Sequence, residues 1–159
     1  MATRIKTPPI DLYKSDFYVW ALTQAELLRD GRLQDLDLEH LIEEIEGLAG
    51  RVESAVRSHA RIIMEHLLKL QHSPARDPRN SWRHTIRVQR QQLEDDLTPA
   101  LRRGLEGDLE RLYARTRRDL ADTLRDFGED DAAKRLPKGC PYTLEQVIGD
   151  WLPPDEDPG

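Results

Sequence analysis

The spacing of apolar residues between positions 37 and 71 limits what this chain can fold into more than any other feature. Leu38, Leu41, Ile42, Ile45, Leu48, Val52, Val56, Ile62, Ile63, Leu67 and Leu70 recur at threes and fours, the repeat of one face of an α-helix. The pattern predicts a single helix of about 35 residues, roughly 50 Å long. Gly47 and Gly50 each weaken it by ~1 kcal/mol relative to Ala, but the stripe keeps its phase from Ile45 through Val52 to Val56. A continuous helix, bent near Gly47, is therefore expected. The other face carries Glu53, Arg57, Arg61, Glu65 and Lys69 at successive fours, charges that support one another in solvent.

Shorter helices surround this one in the sequence. Ser15 is a candidate N-cap for a helix over 16–30, whose face is Phe17, Trp20, Ala21, Gln24, Leu27 and Leu28, and Gly31 stands where a helix stops. The brief link that follows returns this helix onto the first half of the long one. After the loop "HSPARDPRN", Ser81 is placed to cap a third helix over 82–97 with a narrow stripe of Trp82, Ile86, Gln89 and Leu93. Thr98 and Pro99 open a fourth helix, which carries leucines at helical spacing and ends near Phe127 and Gly128. Thr143 and Gln146 have the spacing of a capping box for a short C-terminal helix, with Trp151 and Leu152 as an anchor. The fold class is all-α: a small bundle of four main helices around one long central helix, plus a C-terminal arm with a short helix.

A chain of 159 residues suits one domain, placed at 11–152 between a loose lead-in over 1–10 and a mobile tail over 153–159. The net charge of −6 argues against a protein that coats nucleic acid or anionic membrane along its whole surface. Cys140 is the sole cysteine, which excludes an internal disulfide and a multi-thiolate metal site. No run approaches the ~18 apolar residues of a membrane span, and the N-terminus lacks a signal-type apolar core. A soluble cytoplasmic protein is expected.

Several blocks, "DLYKSDFYVWALTQAELLRDGR", "LDLEHLIEEIEGL", "MEHLLKLQHSPARDPRNSWRHTIRVQRQQL" and "CPYTLEQV", resemble the bacterial domain-of-unknown-function family twenty-nine, in that family's order, from about Asp11 to Leu152. The resemblance implies a compact helical protein and brings no activity, cofactor or catalytic residue. It marks Glu43, Glu44 and Glu46, and Trp82, Arg83, Arg87 and Arg90, as family motifs, and His66 as a family position; His84 falls outside the pattern.

Three constellations carry the chemistry worth weighing. Arg79, just ahead of the third helix, and Arg83, Arg87 and Arg90 along it step at fours and then three and line the edge of its buried face. They are read first as partners for the acidic start of the long helix, Glu43 and Glu44 included, since Arg binds carboxylates in bidentate fashion. The alternative is an anion site for phosphate or a nucleic-acid backbone. His59 and His66, a heptad apart on the apolar face, are read as core histidines hydrogen-bonded to a carboxylate or carbonyl. They lie roughly 10 Å apart along the axis, too far to share an ion unless other helices supply ligands, and no Glu-x-x-His pair appears, so no metal is assigned. Arg79 and His84 match an Arg/His spacing of toxin-type helical ribonucleases, a common chance spacing in an Arg-rich chain. Cys140, before Pro141 and with no histidine near it in sequence, reads as structural.

The sequence thus leads to a cytoplasmic helical interaction protein that forms homo-oligomers, with no catalytic residue, metal or cofactor. An anion or nucleic-acid binder acting through Arg79, Arg83, Arg87 and Arg90 is the competing reading, with a helical ribonuclease as its enzymatic version.

Overall fold

A computed structural model describes residues 11–154; the expected lead-in at 1–10 lies outside them, and of the expected tail only Pro153 and Pro154 lie within. Every regular element among the described residues is a helix. The chain groups into two compact units, Met1–Ala49 and Gly50–Gly159.

The first unit opens with a single turn, α1 (Leu12–Ser15), and then α2 (Phe17–Arg29). Asp16 rather than Ser15 caps α2. The chain breaks helix after Ser15, whose hydroxyl donates back to the Asp11 carbonyl, so the cap falls one residue later and the Asp16 carboxylate accepts from the Val19 N–H at 3.1 Å. Gly31 ends α2 as its position predicts. With φ of +69° it occupies the left-handed region that favours glycine, and the Arg32 N–H closes back on the Leu27 carbonyl at 2.9 Å. A 3-10 turn over Leu33–Asp35 leads into α3 (Leu38–His72), one helix of 35 residues that runs through Gly47 and Gly50.

Burial along α3 is uneven. From Val56 onward its stripe is core: Val56, Ala60, Ile63, Met64, Leu67, Leu68 and Leu70 are buried. Each large side chain so covered contributes ~1.5–3 kcal/mol. Before Val56 no residue of α3 is buried, although the sequence pattern is the same.

In the second unit, α4 (Arg79–Asp96), α5 (Pro99–Asp126), α6 (Asp130–Arg135) and α7 (Leu144–Ile148) complete the core. α4 starts three residues earlier than expected, directly after Pro78, which places Ser81 inside the helix and not at its cap. It buries Ile86 and Leu93, while Trp82 is half-buried against the same cluster. Thr98 caps α5 by accepting from the Leu101 N–H, and Pro99 sits in the first turn. Gly128, at φ of +76°, stops α5. α6 has only six residues, yet it buries Ala132 and Ala133. Thr143 and Gln146 form the full capping box of α7. Trp151 and Leu152 pack against the core as the anchor reading requires.

A candidate interaction surface and the polar clusters around it

In the first unit the start of α3 is held by a knot of hydrogen bonds centred on Asp37. Its carboxylate accepts from the Trp20 indole N–H at 3.0 Å and from His40 Nδ1 at 2.7 Å, while its backbone N–H donates to the buried Gln24 side chain at 2.8 Å. The Tyr13 ring stacks on His40 with centroids 3.8 Å apart, and its hydroxyl donates to Glu44 at 2.7 Å. That hydrogen bond pushes the Tyr13 phenol up to about 12. His40 holds the Asp37 carboxyl below its usual value, and Asp37 in turn raises the imidazole. Tyr13, Asp37 and His40 are absent from the sequence-derived site. The usable signal is an Asp followed three residues later by His at a helix start, just ahead of the acidic motif.

This knot fixes α1 and the front of α2 on the first turns of α3 and covers little beyond them. Leu38, Ile42, Ile45 and Leu48 are 57%, 55%, 64% and 57% exposed. At 100° per residue they fall within about a third of the helix circumference, so they form one apolar stripe. α2 adds Phe17, Tyr18, Val19 and Leu22, all exposed. The expected return of α2 onto the long helix takes place, but only at its N-terminal end.

The residues read as polar sites are distributed as follows. Glu44 is the acceptor for Tyr13, and Glu43 is exposed. His59 Nδ1 donates to the Gln89 side chain at 2.7 Å, and His66 Nδ1 donates to the Ile62 carbonyl at 2.8 Å. Burial lowers the His66 pKa and keeps the ring neutral. Arg79 donates to the Leu70 carbonyl at 2.8 Å. Arg90 is a cross-link: it donates to the carbonyls of Val147, Gln146 and Trp151 at 2.9, 2.8 and 2.7 Å, tying α4 to the C-terminal segment. Arg83 is half-buried and Arg87 is exposed. Arg79 and His84 do not form the adjacent pair that a ribonuclease reading needs. Five positions on a helix are about 140° apart, and His84 is exposed while Arg79 reaches back to α3.

Cys140 is half-buried; its N–H donates to the Glu110 carboxylate at 3.0 Å and its thiol to the Tyr142 carbonyl at 3.5 Å. Burial raises its pKa, so the thiol stays protonated. Among the described residues, no group of three or more His, Cys, Asp and Glu side chains is arranged to hold a metal ion. No helix of the described residues is long and apolar enough to cross a membrane.

A family model described as a domain of unknown function, DUF29, matches residues 12–152. No curated protein matches. No solved structure matches.

Proposed function

Since the chain belongs to DUF29, a domain of unknown function, we propose its role from its own surface: a non-catalytic helical interaction protein that pairs with a second copy of itself. The observation that carries this reading is the stripe of Leu38, Ile42, Ile45 and Leu48, each more than half exposed. Monomers rarely leave contiguous apolar surface of this kind open to water. The spacing of the stripe at fours and threes is what a helix-to-helix seam uses, and a twofold pairing covers the same face on both subunits at once. Among the described residues none in the first half of α3 is buried, so a partner helix supplies the tertiary packing that long helices need in water. A cytoplasmic setting, with one protonated thiol and no disulfide, belongs to the same proposal.

An anion site along Arg79, Arg83, Arg87 and Arg90 is the weaker reading, because Arg79 and Arg90 spend donors on backbone carbonyls. Sedimentation equilibrium across a dilution series tests the proposal. The expected species is twice 18.4 kDa, and Ile45→Glu is expected to reduce it to a folded monomer. A wild-type mass that stays at 18.4 kDa at every concentration rules the pairing out.

A further inference from the structure

Within the second unit, α3 and α5 flank an open cleft of about 660 Å³ whose lining includes five arginines, Arg57 and Arg61 from α3 and Arg111, Arg115 and Arg118 from α5. Among the described residues, Asp108 is the only acid in that lining. Such a density of one sign is unexpected in a chain of net charge −6. Three of the five are partly neutralised. Arg57 pairs with Asp108 at 2.5 Å and Glu53 at 2.8 Å, Arg111 shares Asp108 at 2.9 Å, and Arg61 meets Asp119 at 3.3 Å. Arg115 and Arg118 are exposed, and neither appears in any ion pair or hydrogen bond of the described residues. Five cations against Asp108, Glu53 and Asp119 leave an excess of two positive charges, both on the α5 wall.

We infer that this cleft binds a compact oligophosphate group through Arg115 and Arg118, with Arg57, Arg61 and Arg111 completing a basic wall. Guanidinium forks match phosphate oxygens in bidentate fashion, and a concave basic wall concentrates anions. Arg111, Arg115 and Arg118 step by four and three along α5, so they share one face and span about 10 Å, room for a short run of phosphates. Among the described residues the lining contains no aromatic side chain, so the base-stacking that single-stranded nucleic acid uses has no platform there. A long polyanion would also continue past the cleft onto a chain with more acids than bases. The shared chemistry is the phosphate group, and its source is a small phosphorylated compound rather than a nucleic-acid backbone.

Calorimetric titration of the full chain with inorganic tripolyphosphate at low salt tests this, alongside a single-stranded oligonucleotide of mixed sequence. Tripolyphosphate is expected to bind, more weakly as salt rises. Arg115→Ala/Arg118→Ala is expected to cost at least about tenfold in affinity, the loss of two charged phosphate contacts, with an unchanged thermal midpoint. Arg76→Ala/Arg103→Ala, which removes the same charge from exposed positions outside the cleft lining, serves as the control. Three results overturn the inference: no binding by the wild type, an equal loss in the control, or tighter binding of the oligonucleotide per phosphate through the same two arginines.

Discussion

His40 Nδ1 lies 2.7 Å from the Asp37 carboxylate, one helical turn away at the start of α3. The two shifts point in opposite directions, with His40 raised from its ordinary 6.5 and Asp37 lowered from 3.8. A raised histidine contributes stability that is complete below its unfolded value and is lost as pH rises through the folded one. A lowered aspartate contributes stability present above its unfolded value and lost as pH falls through the folded one. The pair therefore supports the fold most between about pH 4 and 6.5. His66, lowered by burial, has the contrary sign and favours the fold above 6.5. NMR titration of the histidine ring protons should place His40 above and His66 below that value, and Asp37→Asn should bring His40 down towards it. A His40 that titrates identically in the variant would mean that the dyad does not exist in solution.

Arg90 should behave as a structural rivet. Its guanidinium donates to three carbonyls of the C-terminal segment, and hydrogen bonds from a charged group are each worth about 1.5–3 kcal/mol. Arg90→Ala is expected to cost at least about 2 kcal/mol, once partial exposure is allowed for. Arg90→Lys should rescue little, because an ammonium lacks the planar fork. Chemical denaturation gives the loss, and faster proteolysis near Trp151 shows where it falls; a midpoint unchanged in Arg90→Ala would refute the role.

Two classes of glycine should respond oppositely to alanine. Gly104 and Gly107 lie inside α5, where an added methyl meets nothing within 4 Å. Each substitution should raise stability by about 0.5–1 kcal/mol through helix propensity. Gly128 has equal space, but its φ is +76°, so Gly128→Ala should destabilise by about 1 kcal/mol through backbone strain alone. Thermal melts of the three variants check the signs. Destabilisation by Gly104→Ala would mean that in solution the added methyl meets packed atoms on this face of α5.

Long periodic elements were the most legible part of the fold. The stripe of α3 and the leucine row of α5 each state one helical face over many turns, and local signals such as Thr98-Pro99 and Thr143 with Gln146 sit where the caps form. α6 was hidden because six residues with two alanines carry no periodicity. The start of α4 was displaced because Pro78 opens the helix and the serine signal at 81 is only a local preference. At the candidate surface, periodicity identifies Leu38 to Leu48 as apolar but cannot say what covers them, since Val56, Ile63, Leu67 and Leu70 read identically and are buried. The roles of Tyr13 and His40 depend on a contact between segments about 30 residues apart, which no window of sequence contains.

Because Cys140 is the only thiol and is held protonated beside the Tyr142 carbonyl, it is a built-in clock for local opening. Alkylation needs the thiolate and needs access, so the modification rate in native buffer counts how often the stretch before α7 lifts from the core. Comparing that rate with global unfolding tells whether the C-terminal segment is a separate cooperative unit or opens only when the whole core does. The wild-type chain already carries the probe at the point where the answer is decided.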